Sequence, residues 1–336
     1  MNKTHFLCLL ISVIVFSCTE KTSKRTTERS GKINTVAVIV DDQLWNGEVG
    51  DTLRNKFASP VLGLPQEEPI FSLNQYPVKL LEGFMTNSRN IIVIKKEGKS
   101  EFRIQENEFA NPQVVVHISG NSVQEILDTI QSNDSLIIQK IKQSEINILK
   151  DQIKQDSLAD SQKIIDKFNI KVAIPVKYRM VMHGRKFIWL KKEITSGNLS
   201  LIFYQIPLSS IKDNANTINR ITKIRDSIGA IYIHGAVPKT KMITEASFSP
   251  YLSKTTIFGK ETFETKGNWE LTNDSMGGPF INYAILDKKN NRIVVIEGFC
   301  YAPSKQKRDL MFELEAIIKS VQFLTKKVIS KKWKTK

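Results

Sequence analysis

Cysteine is nearly absent from this chain: three occur in 336 residues, at positions 8, 18 and 300. Cys8 falls in an apolar leader and Cys18 at its end, so a single thiol, Cys300, remains for the folded body. One thiol closes no intrachain disulfide, and stability has to come from a packed core. Histidine is as sparse, with four in all. His117, His183 and His234 are scattered, which leaves little from which to build a soft-metal site. No apolar run of about 18 residues or more exists outside the leader, which excludes a polytopic helical membrane protein. Walker A, HExxH, CxxC and GxSxG patterns are all missing, and nothing in the sequence calls for a cofactor.

Acidic residues are also in short supply, 34 against 49 lysines and arginines, for a net charge of +15. The excess is concentrated at the ends. Lys3, the segment 19–32 and the six lysines of 326–336 hold ten of the fifteen charges, so the body is only mildly basic. That distribution fits solvated or membrane-attracted ends and no nucleic-acid partner. Trp333 among the terminal lysines suits an anionic membrane surface.

What is present first is an address. Lys3 is followed by a short apolar stretch from Phe6 to Phe16 and then Val15-Phe16-Ser17-Cys18. A branched aliphatic at −3, a small residue at −1 and a thiol at +1 look like a lipobox. The resemblance implies cleavage after Ser17 and acylation of Cys18, with residues 1–17 a signal peptide. More than one acyl chain makes such an anchor firm, since each buried CH₂ contributes about 0.8 kcal/mol. Residues 18–32 are rich in Ser and Thr and poor in apolar groups, as in a flexible tether. Thr19 lacks the acidic character of an inner-membrane retention signal, so the expected place is the outer membrane, facing the periplasm.

The body reads as α+β: two domains, each a mainly antiparallel sheet with packed helices, joined by a long helix. The N-terminal domain is expected over 33–168, the C-terminal domain over 169–325 and a basic tail over 326–336. Thr35 to Val40 predicts a strand, Gly47 to Ala58 a helix, and three further strands follow up to Ser119. Asn121 or Ser122 can cap a helix, Ser132-Asn133-Asp134 should interrupt it, and a longer helix should run to about Lys167. In the second half a meander, a helix over 216–228, a hairpin around 287–291 and a last helix over 305–323 are expected. This element order is loosely similar to small α/β sandwich modules of the PsbP/Mog1 type.

Two groups of residues could bind a ligand. Asp41 and Asp42 end the first strand, and Glu67 and Glu68 lie in a proline-rich loop; convergent carboxylates can serve acid–base chemistry or hold Ca²⁺. Trp269 with Gly277-Gly278-Pro279 suggests a shaped turn flanked by aromatics, able to stack on a glycan or peptide. Cys300, following an apolar strand, reads as a buried, inert thiol.

Several segments together resemble an uncharacterised Bacteroidetes lipoprotein family, the domain of unknown function 4837 family. They are Val40 to Trp45 with Gly47 to Asp51, Gly63 to Pro69, Asn87 to Asn90, Met276 to Phe280, Glu297 to Pro303, and Lys307-Arg308. The resemblance implies an envelope address and assigns no catalytic or binding residue. The combined expectation is a lipid-anchored, non-enzymatic binding or assembly component. Its partners would be the membrane, through acylated Cys18, and an envelope protein, glycan or lipid. The alternative is a carboxylate- or metal-dependent envelope hydrolase.

Overall fold

In this computed structural model the described residues are 30–81 and 84–325. Cys18, the tether up to Arg29 and the lysine tail from Lys326 lie outside them. The chain joins the body at Ser30, which pairs with Ser88.

The first domain runs β1 (Thr35–Ile39), α1 (Asp42–Trp45), α2 (Glu48–Phe57), β2 (Ser72–Tyr76), β3 (Asn90–Lys96), β4 (Glu101–Glu106), β5 (Val114–Gly120) and α3 (Val123–Gln155). The sheet order is β2-β1-β3-β5-β4. The expected α+β class and two domains hold, but this first sheet departs from the antiparallel expectation. Three of its four pairings, β1–β2, β1–β3 and β3–β5, are parallel, and β4–β5 alone is antiparallel. The reason is visible in the residues: β1 and β3 are apolar on both faces, with Val36, Ala37, Val38, Ile39 and Ile91 to Ile94 all buried. Strands covered on both sides are the kind that pair in parallel. One face packs on α2 and α3, and the other is covered by Tyr76, Val78 and Phe109.

Helix α3 is one uninterrupted element of 33 residues. Ser122 caps it by accepting the Glu125 N–H at 3.2 Å, and Glu125 reaches back to the Asn121 N–H at 3.0 Å. The expected break at 132–134 does not occur. Asn133 donates to the Thr129 carbonyl at 2.8 Å, and Asp134 pairs with Lys56 of α2 at 2.7 Å, so both polar side chains are satisfied within a helix. The break comes instead at 156–161. There the backbone pairs sideways: Ala159 N–H bonds Ile174 O at 2.8 Å and Val176 N–H bonds Ser157 O at 2.9 Å. Ile126, Ile130 and Ile137 of α3 lie in the first core, whereas Ile146 and Ile153 lie in the second.

The second domain continues with α4 (Gln162–Phe168), β6 (Ile170–Lys171), β7 (Arg179–Gly184), β8 (Phe187–Ile194), β9 (Gly197–Pro207), α5 (Thr217–Tyr232), β10 (Met242–Thr244), β11 (Tyr251–Ile257), β12 (Lys260–Leu271), β13 (Gly277–Asp287), β14 (Arg292–Tyr301), α6 (Arg308–Ile318) and β15 (Gln322–Phe323). Its eight-stranded sheet is ordered β10-β12-β13-β14-β9-β8-β7, with β11 beside β12, and every pairing is antiparallel. Period-two alternation divides the sheet's faces. Ile281, Tyr283 and Ile285 face α6, α4 and the end of α3, while Phe280, Ala284 and Val295 face α5. Among the described residues no helix is long and apolar enough to cross a membrane.

Candidate functional site

The register of β1 and β2 decides where the four expected carboxylates go. Thr35 pairs with Ser72 and Ile39 with Tyr76 in parallel. Asp41 and Asp42 therefore follow the carboxyl end of β1, while Glu67 and Glu68 precede the amino end of β2. At about 3.3 Å per residue a strand length, on the order of 13 Å, separates the two pairs. Asp42, exposed, accepts from Gln75 Nε2 at 2.9 Å. Glu67 is exposed and Glu68 is buried. The structure does not bring the four together, and the described residues contain no group of three or more His, Cys, Asp or Glu able to hold a metal ion.

Glu68 has another task. Its two oxygens accept the backbone N–H groups of Lys307 and Arg308 at 2.6 and 2.8 Å, closing the first turn of α6 from the other domain. Arg308 returns the contact through Nη1 to Pro69 O and Ser72 Oγ, and Asn34 Nδ2 donates to Asp309 at 2.9 Å. The proline loop is thus pinned across the domain boundary. Gly63 sits at φ +84 against β12, where an added Cβ would stand 3.0 Å from Lys266 Cβ.

Trp269 is buried, donates its indole N–H to Cys300 O at 3.2 Å and meets Phe299 edge-on at 5.4 Å. Gly277 and Gly278 pair with Glu270 and Trp269 across β12–β13. A Cβ on Gly278 would lie 2.2 Å from Cys300 O. These residues are joined in a dense sheet corner with no open aromatic face. Cys300 is fully buried, and burial pushes its thiol up to about 12. His117 bonds Glu108 at 2.7 Å, and His234 bonds Thr240 O at 2.7 Å; His183 is exposed on β7.

A cleft of about 340 Å³ lies between the domains. That is at the lower end of the range for small-ligand sites. Its apolar side comes from the proline loop (Val61, Leu62, Leu64), from Ile146 of α3 and from Met311 and Phe312 of α6. Its polar side carries Lys142 of α3, Glu264 and Lys266 of β12, Glu315 of α6 and Lys319 just past the end of α6. Lys266 pairs with Glu264 at 2.9 Å, and Lys319 pairs with Glu315 one helical turn away. Lys142 has no hydrogen bond or ion pair among the described residues.

Electrostatics follow from that pairing. Burial disfavours the Lys266 ammonium, but the Glu315 and Glu264 carboxylates outweigh it and raise its pKa. Burial likewise works against the Glu315 carboxylate, and Lys266 and Lys319 overcome it, lowering its pKa. Lys142 goes the other way: burial first, then Lys266, lowers its pKa. Beneath the cluster, the buried Tyr283 hydroxyl lies beside Glu315 and Glu264 without a well-formed hydrogen bond to either. Burial and those two charges hold it well above the usual phenol range.

Sequence reading missed this charged set. The available signal was weak: Glu264 and Lys266 share a face of β12 with other polar residues, and their partners on β13, Tyr283 and Ile281, are apolar, while Glu315 and Lys319 stand at i,i+4 beside the buried stripe of α6.

Residues 157–320 match the family described as a domain of unknown function, DUF4837, and residues 29–154 match a second domain of unknown function, DUF8532. No curated protein matches the chain. Solved structures with some likeness include the Ran-binding protein Mog1p of Saccharomyces cerevisiae, at 9% identity and a TM-score of 0.31 over 46% of this chain and 90% of that one. The human StAR-related lipid transfer protein 5 shows 8% identity and a TM-score of 0.24, over 53% and 95%. The human StarD13 (DLC2) lipid transfer and protein localization domain shows 9% and 0.19, over 49% and 95%. The chain thus carries two domains of unknown function in tandem, one matching DUF8532 over residues 29–154 and one matching DUF4837 over residues 157–320.

Proposed function

We propose that this chain is a lipid-anchored protein of the cell envelope, held through Cys18 at the periplasmic face of the outer membrane. It acts by binding rather than by catalysis, and its ligand sits in the cleft between the two domains. The observation that carries this reading is the construction of the cleft. Both domains contribute its walls, and the contacts of Glu68, Arg308 and Asn34 fix those walls against each other. A preformed site with an apolar lining and a few placed polar groups is the usual form of a small-ligand site.

The anchor and the cleft are tested separately. Cys18→Ala is expected to move the protein from the membrane to the soluble fraction; retention that resists a salt wash overturns the anchor. For the cleft, the full chain is screened by thermal shift against envelope glycans, peptides and lipids. Gln143, exposed on α3 at the cleft wall, is replaced by Trp to fill the opening. A ligand whose shift disappears in Gln143→Trp supports the reading. Ligands that shift native and variant protein alike place binding elsewhere.

A further inference from the structure

We propose that the interdomain cleft takes a small apolar anion, a carboxylate or similar head on a short hydrocarbon body, with the Lys142 ammonium as its counter-charge. The inference deepens the cleft reading above and rests on it. Two observations meet here. Both carboxylates lining the cleft are already matched: Glu264 by Lys266 and Glu315 by Lys319. Arg308, at the far wall, is occupied by Asp309, Pro69 O and Ser72. Lys142 is the surplus charge: its half-buried side chain faces the cleft and has no ion-pair partner among the described residues, and Glu315 and Glu264 act on it only through space.

A half-buried ammonium without a direct partner is disfavoured by desolvation, and the neighbouring Lys266 adds to that; Glu315 and Glu264 offset only part of it, so the Lys142 pKa lies below the ordinary value. An anion beside Lys142 offsets both costs with a direct counter-charge. The rest of the cavity specifies what else the ligand carries. Leu62, Leu64, Ile146, Met311 and Phe312 form a continuous apolar side, which stabilises a hydrocarbon body at about 25 cal/mol per Å² buried. The paired carboxylates Glu264 and Glu315 disfavour a second negative charge deeper in, so a monoanion fits better than a polyanion.

The test uses three probes of equal chain length on the full protein: octanoate, octanol and octyltrimethylammonium, with affinities read by calorimetry. Octanoate is expected to bind at least about tenfold more tightly than octanol, and the cation is expected not to bind. The difference corresponds to a hydrogen bond to a charged group. Lys142→Gln is expected to abolish the preference for octanoate, and Lys142→Arg to restore most of it. Equal affinity for octanoate and octanol, or an octanoate preference that survives Lys142→Gln, overturns the anion assignment while leaving the cleft as a binding site. Octanoate binding undiminished in Gln143→Trp overturns the cleft itself. No measurable octanoate binding at millimolar concentration also overturns the assignment.

Discussion

Glu68 of the first domain and Lys307 of the second are separated by 239 residues, yet the carboxylate of one accepts the backbone N–H of the other at 2.6 Å. The same carboxylate takes the next N–H, that of Arg308. An acid brought from a distant loop thus does what a local cap does for most helices, and both groups are largely shielded from water.

Removing that acid leaves two N–H groups at the start of α6 without partners. Glu68→Ala is expected to destabilise the protein by about 1–2 kcal/mol. Glu68→Gln, which keeps one acceptor oxygen, should lose about half as much. Urea denaturation followed by near-ultraviolet circular dichroism measures the difference. An unchanged midpoint for Glu68→Ala would show that the cap contributes nothing.

Arg225 and Glu297 form a second, deeper pair, both essentially inaccessible to solvent, at 2.9 Å. Arg225 also stacks over Phe280 at 3.8 Å and donates to Thr244, and Asn282 donates to Glu297 at 2.8 Å. Breaking such a pair from one side leaves a buried charge. Arg225→Met is expected to cost about 3–5 kcal/mol, and Arg225→Met with Glu297→Leu to recover most of that loss. Denaturant midpoints of the two single variants and the double variant give the coupling; additive losses would refute it.

The α+β class and the two domains were legible because apolar runs and turn residues mark most strands and helices locally. The hairpin of β13 and β14 is of this kind. What was not legible is pairing at a distance. Strand direction in the first sheet depends on cover from α2 and α3 on one face and from Tyr76 and Phe109 on the other. The break at 156–161 depends on Ile174 offering its carbonyl to Ala159. For the site, Glu67 and Glu68 could be singled out as unusual. Only the parallel register of β1 and β2 shows them to be at the opposite end from Asp41 and Asp42. The cleft itself joins residues from 34 to 319, and no local pattern reports it.

Gly278 and Gly259 give a paired test of what glycine does here. An added Cβ at Gly278 would meet Cys300 O at 2.2 Å, too close for any carbon. At Gly259 nothing lies within 4 Å, and only the positive φ of 69° opposes a side chain. Gly259→Ala should therefore cost about 1 kcal/mol, and Gly278→Ala about 2–4 kcal/mol, by forcing β13 away from β14. Equal melting temperatures for the two alanine variants would contradict the close approach of those strands.

Asp287 sits at the end of β13 with a nearly inaccessible side chain that accepts from Lys260 at 3.0 Å, Asn290 at 2.7 Å and Arg292 at 2.9 Å. Burial pushes its carboxyl upward, but those three donors and the Lys260 charge outweigh it, so its pKa in the folded protein is below the ordinary value. The folded state then binds the proton less readily than the unfolded chain. The stabilisation is fully present above the unfolded value of about 3.9 and is lost as pH falls through the lower, folded one. Asp287→Asn should cost about 2–3 kcal/mol at pH 7, the worth of hydrogen bonds to a charged group. That gap between native and variant should narrow steadily below about pH 4. Stability profiles of the two proteins from pH 7 to pH 2 measure it. A gap that stays constant on acidification would mean that Asp287 acts through its shape and not through its charge.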